Sequence, residues 1–106
     1  MFCYRAECVF VHDGDTLTVL VDLGFGTFRK ERLRLLGLNC PERGTPQGIA
    51  ATEYTQAWFA SGKSCQIQTV KDRREKYGRY LARVVSLDGR CLNDDLLKHE
   101  MALPYT

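Results

Sequence analysis

A chain of 106 residues has room for one hydrophobic core, and 44% hydrophobic with 26% charged residues is the composition of a folded domain, not of a disordered or fibrous chain. No apolar run exceeds four residues, so none spans a bilayer, and no cationic start followed by an apolar stretch marks a signal peptide. The net charge of +2 hides two basic segments, +3 over residues 29–34 and +4 over 71–83, against −5 elsewhere. From charge alone these segments are either solvated strand faces and loops or the contact surface of a polyanion.

The first half alternates at period two. Val9 and Val11, then Leu17, Val19 and Val21, mark two strands joined at Asp13-Gly14, a dipeptide suited to a tight hairpin turn. Gly24-Phe25-Gly26 supplies the next turn, and Phe28 to Leu38 reads as a third strand with Leu33 and Leu35 on one face and Arg32 and Arg34 on the other. Two prolines and two glycines make residues 39–48 a loop, and Thr45-Pro46 starts the helix that follows unless the cap lies later. Ala51, Tyr54, Thr55, Trp58 and Phe59 form one stripe of that helix, and Gly62 ends it. Cys65, Ile67 and Thr69 alternate as a fourth strand. A charged loop at 71–78 leads to a fifth strand over Arg79 to Leu87, closed by Asp88-Gly89. Asn93 is expected to cap a short last helix, with Leu92 before the cap stapling against Leu97. The fold class is α+β, mainly β. Five short strands, with one helix between the third and fourth and another after the fifth, are the arrangement of a Greek-key OB-fold barrel over a single domain, residues 1–106.

Asp15 shares its parity with Leu17, Val19 and Val21, so its carboxylate ends a core-facing row. Such an acid is either a turn residue reaching water or one met by a cation or hydrogen-bond donors. Arg34 lies inside a strand, Glu42 follows a proline in a loop, and Arg79 follows Tyr77-Gly78 at a strand entry. Two acids and two arginines at strand ends suit a divalent cation, a clamped phosphate and a positioned water. Trp58 and Tyr54 read as core, whereas Tyr77 and Tyr80 beside basic residues are candidates for base stacking. Five cysteines without a C-x-x-C pair point away from a disulfide scaffold or a zinc site and towards reduced thiols in the cytoplasm. No spacing supports a thiol–histidine pair of Cys40 with His12 or His99.

Asp13-Gly14-Asp15-Thr16, then Arg34 to Glu42 (Arg-Leu-Leu-Gly-Leu-Asn-Cys-Pro-Glu), then Lys76-Tyr77-Gly78-Arg79 resemble the three signature segments of the staphylococcal nuclease (thermonuclease) family. The resemblance spans about residues 8–103. It implies a five-stranded OB barrel with packed helices and Ca²⁺-dependent hydrolysis of DNA and RNA phosphodiesters that leaves 3′-phosphates. Carried onto this chain, it makes Asp15 a calcium ligand, with Asn39 in the place of a second calcium carboxylate and Cys40 offering its backbone carbonyl. Glu42 stands where the attacking water is oriented or deprotonated, Arg34 and Arg79 match the arginines on the scissile phosphate, and Lys76 and Tyr77 match a pair that binds a terminal phosphate. Asn39 keeps an oxygen but removes a charge, so a weak calcium site is expected. No counterpart of the family's extra C-terminal helix is expected, and Tyr105 lies near the place of a nucleotide-stacking tyrosine. The expectation is a cytoplasmic, monomeric nuclease on DNA or RNA, preferably single-stranded, with no membrane partner. The rival is a catalytically silent OB-type module that binds single-stranded nucleic acid or a protein.

Overall fold

The computed structural model describes residues 2–60, 62–74 and 79–105; of residues 71–74 it describes the backbone. Five strands close a barrel in the order β1-β2-β3-β6-β5: β1 (Phe2–Asp13), β2 (Thr16–Asp22), β3 (Phe28–Leu35), β5 (Ser64–Arg74) and β6 (Tyr80–Ser86). The β1-β2-β3 meander and the β5-β6 and β1-β5 pairs are antiparallel, and the barrel is closed by a parallel pairing of Leu33–Leu35 with Tyr80–Ala82. With helix α1 (Pro46–Trp58) between β3 and β5, and α2 (Leu92–Lys98) after β6, this is the OB-fold. No helix among the described residues is long and apolar enough to cross a membrane.

Alternation fills the barrel as expected. Leu17, Val19 and Val21 of β2, Leu33 and Leu35 of β3, Cys65 and Ile67 of β5, and Ala82 and Val84 of β6 are buried in one cluster. On β1 the period breaks. Ala6, Cys8 and Val11 point inward, whereas Val9, expected to share a face with Val11, is exposed. The cause is a register shift between Cys8 and Phe10, with a second between Val11 and Asp13, which insert Val9 and His12 as extra residues against β2.

The third strand stops at Leu35, not at Leu38. Leu36 and Gly37 turn, and Leu38–Asn39 (β4) pairs instead with Leu103–Pro104 (β7), a two-residue ribbon that alternation could not reveal. Thr45 caps α1 as expected, its hydroxyl accepting the Gly48 N–H at 3.0 Å, but the helix ends at Trp58, with Phe59 as its C-cap rather than Gly62. β5 runs on through Arg74, into the segment read as a charged loop.

Asn93 is not the cap of α2. Cys91 holds the N-cap position, Leu92 is the first helical residue, and Asn93 lies inside the helix, 1% exposed. Its side-chain oxygen accepts the Val84 N–H at 3.0 Å, and its amide donates to the Leu36 and Ala82 carbonyls at 2.9 and 3.1 Å. The side chain thereby ties α2 to β6 and to the turn that follows Arg34. A buried amide with its hydrogen bonds satisfied gains more there than at an exposed cap. The Trp58 indole N–H donates to the Asp95 carboxylate at 2.9 Å, joining α1 to α2.

Candidate active site

The site lies where the β1–β2 turn meets the ends of β3 and β6. Gly14 is the pivot of that turn, because a Cβ there would stand 2.7 Å from Cys40 Sγ and 2.8 Å from the Ala51 Cβ. Only glycine lets the turn seat against α1, where the Gly14 carbonyl accepts the buried Thr55 hydroxyl at 2.8 Å. Seating the turn carries Asp15 inward to 8% exposure.

Donors meet the Asp15 carboxylate there. Oδ2 accepts the Cys40 N–H at 2.9 Å and lies 3.6 Å from Arg34 Nη2, while Oδ1 accepts the Thr16 hydroxyl at 3.3 Å. Burial first, then the neighbouring Asp13 carboxyl, pushes the Asp15 carboxyl above the usual carboxylate range; the Cys40 N–H and Arg34 only partly oppose this. The parity reading is therefore answered on the inward side: Asp15 is met by donors and does not turn to water.

Arg34 stands directly opposite Thr16 in the β2–β3 register. Its guanidinium reaches the Leu38 carbonyl at 3.5 Å and lies 5.6 Å from the centre of the Tyr105 ring. Tyr105 is fixed there by its N–H on the Gly37 carbonyl at 2.9 Å, so it borders the site through Arg34. Arg79, the residue just before β6, donates to Thr16 Oγ1 at 3.3 Å. The Thr16 hydroxyl thus links the acid to the second arginine. In the sequence Thr16 stands out only as part of Asp13-Gly14-Asp15-Thr16; its even parity assigns it to the face opposite Asp15 and gives no signal of this link.

Three expected residues, Asp15, Arg34 and Arg79, are brought together, and Cys40 joins them through its backbone N–H. Its thiol is pushed up to about 12, by burial first and then by the charges of Asp15 and Asp13, so it stays protonated. His12 bonds Thr18 and His99 packs on the Tyr54 ring, and among the described residues neither hydrogen-bonds Cys40. Asn39 is half-buried on β4 opposite Leu103, and no hydrogen bond joins its side chain to Asp15 among the described residues. Glu42 is exposed in the loop after β4, its carbonyl accepting the Thr45 N–H and hydroxyl at 3.0 and 2.7 Å. Its carboxylate makes no hydrogen bond or ion pair with the described residues. Lys76 and Tyr77 lie outside the described residues. Tyr80, the other stacking candidate, is half-buried and packs against the barrel core. Among the described residues no three His, Cys, Asp or Glu side chains converge as a metal cage.

A family profile described as staphylococcal nuclease homologue matches residues 32–106. The chain belongs to the staphylococcal nuclease family. It is also 35% identical over 97 residues to Endonuclease YncB of Bacillus subtilis (strain 168), a match that covers 85% of this chain and 43% of that protein. The chain therefore spans less than half the length of this curated relative. The profile of the staphylococcal nuclease family takes in Arg34, Asn39, Cys40, Glu42, Arg79 and Tyr105. Asp15 and Thr16 precede the matched segment, and the register of β2 against β3 delivers them to it.

Proposed function

We propose that this protein hydrolyses phosphodiester bonds of DNA or RNA, with little base specificity and a preference for single strands. The observation that carries the reading is the convergence of two arginines on one buried acid: Arg34 lies 3.6 Å from Asp15, and Arg79 reaches it through the Thr16 hydroxyl. Guanidinium forks at that spot suit a phosphate, and donors already in place cost no reorganisation as negative charge grows in the pentacovalent transition state. Asp15 holds Arg34 in position. The Glu42 carboxylate, which makes no hydrogen bond or ion pair with the described residues, orients the attacking water or takes its proton. Lys76 and Tyr77 are assigned to a terminal phosphate on the family resemblance, which also implies 3′-phosphate products.

The donor set suits a hard cation of the calcium type. Asp15 offers a desolvated carboxylate with one arginine at 3.6 Å, Asp13 stands in the same turn, and the protonated Cys40 thiol leaves oxygens as the ligands. Asp15, the Asn39 side-chain oxygen and the Cys40 carbonyl would hold the ion. When bound, Ca²⁺ supplies charge stabilisation at a phosphoryl oxygen. With one carboxylate as the main anionic ligand, affinity is low, about millimolar as in the weakest oxygen sites. A metal titration of wild type and Asn39→Asp on heat-denatured DNA tests this. Asn39→Asp lowers the Ca²⁺ requirement while the products stay the same. Full cleavage by wild type at micromolar Ca²⁺ contradicts the charge argument. Binding without cleavage at any metal concentration selects the silent binding module.

A further inference from the structure

One row of side chains on the outer face of the barrel has no part in the site above. The bulge at Val9 turns Val9 and Phe10 outward together, leaving Phe10 52% exposed beside a strand that is otherwise alternating. Phe10 stands opposite Thr18, and Thr18 opposite the exposed Arg32, so the three form one row across β1, β2 and β3. The second bulge residue, His12, is locked into this row. Its Nε2 lies 2.7 Å from Thr18 Oγ1, and its ring meets Phe10 edge to face at 4.8 Å between centroids. Burial lowers the His12 pKa, and the charges of Arg32 and Arg43 lower it further.

The row runs alongside the one that holds Thr16 and Arg34, two residues on along β2 and two back along the antiparallel β3. Two strand residues advance about 6.6–6.8 Å, comparable to one step of an extended nucleotide backbone. An exposed aromatic ring in one row with an exposed arginine is the chemistry of single-strand binding, where bases stack on rings and phosphates meet arginines. The next row outward, Glu7–Leu20–Lys30, sets an acid against a base and holds no aromatic ring, so the favourable track ends after one nucleotide.

We infer that Phe10 and Arg32 form a subsite for the nucleotide next to the scissile phosphate of a single strand, with the arginine on its phosphate and Phe10 stacked on its base. The scissile position rests on the nuclease reading; binding at this row does not require cleavage. The test is anisotropy titration of a labelled oligo-dT in excess chelator over a range of salt, with the folding of each variant checked by circular dichroism. Phe10→Ala weakens binding at least about fivefold, and Phe10→Tyr, which keeps the ring, restores it. Arg32→Gln flattens the log–log salt slope by about 0.7. The charge-matched control Arg83→Gln, whose arginine pairs with Asp94 at 3.2 Å on the β6–α2 side, does neither. Wild type that fails to bind, or unchanged affinity and slope in the folded Phe10 and Arg32 variants, overturns the subsite. Cleavage by wild type alongside that second result leaves the nuclease reading intact. Binding with the expected losses, but no cleavage at any metal concentration, removes the nuclease reading and keeps the subsite.

Discussion

Replacing Gly48 with alanine sets helix propensity against close backbone packing and couples stability to activity in one change. Gly48 is buried in the first turn of α1. A Cβ added there would lie 1.8 Å from the Glu42 carbonyl oxygen and 2.5 Å from its carbonyl carbon, where ordinary contact starts at 3.4 Å. Both atoms are backbone, so the loop or the helix start must shift by about 1.6 Å, the difference between those oxygen distances. The same carbonyl accepts both donors of Thr45, so the shift also disturbs the helix cap. Helix propensity alone favours alanine by about 1 kcal/mol. Overpacking against a fixed backbone costs about 1–3 kcal/mol, and a damaged cap about 1 more. The net expectation is a loss of about 1–3 kcal/mol. Displacing Glu42 by more than 1 Å should also lower turnover about 10²-fold, the usual cost of misplacing a reacting group. Urea unfolding and cleavage rates, measured on one preparation, read both effects. A variant more stable than wild type and fully active would refute the reasoning, because an unobstructed helix position behaves that way.

Asn93→Ala removes three hydrogen bonds, two of them buried, and strands the Val84 N–H and the Leu36 carbonyl; a loss of about 2–5 kcal/mol in urea unfolding is expected, and a change below 1 kcal/mol contradicts the tie. Thr16→Val removes one partner of Arg79 and one of Asp15, and turnover should fall about five- to tenfold, as for one net hydrogen bond, while Thr16→Ser stays near wild type. The fold should also weaken in alkali. Burial pushes the Cys8 thiol up to about 11 and the Cys65 thiol up to about 12 from 9.0. Between pH 9 and those values the unfolded chain releases protons that the folded chain keeps, so stability falls as pH rises, by up to about 1.4 kcal/mol per pH unit for each thiol. Below pH 9 these thiols contribute no slope. Unfolding midpoints from pH 7.5 to 10.5 check the sign, and Cys65→Val should flatten the decline.

The barrel was legible because period-two alternation survives wherever a strand buries one face, as in Leu17-Val19-Val21 and Cys65-Ile67. It failed on β1, where two inserted residues reverse the parity of Val9 and free Phe10. The β4–β7 ribbon was invisible, since two residues cannot show a period. Asn93 had the composition of a cap, but its partners are backbone groups of β6 and of the turn after β3, far away in sequence. The inward placement of Asp15 could be read from parity. Its partners could not, since the Cys40 N–H reaches it across 25 positions and Arg79 reaches Thr16 across 63. Nor does any local pattern announce that Gly14 and Gly48 are needed for close approach; only the packed atoms around them do.

The central claim is that Arg34 and Arg79 act on a phosphate beside Asp15. Its most direct test is single-turnover cleavage of a labelled single-stranded oligonucleotide by wild type, Arg34→Ala and Arg79→Ala, in millimolar Ca²⁺ and in excess chelator. Wild type should cleave until chelator stops it, with rates at least about 10²-fold lower in each folded variant while the oligonucleotide remains bound. Equal cleavage by all three folded proteins would contradict it.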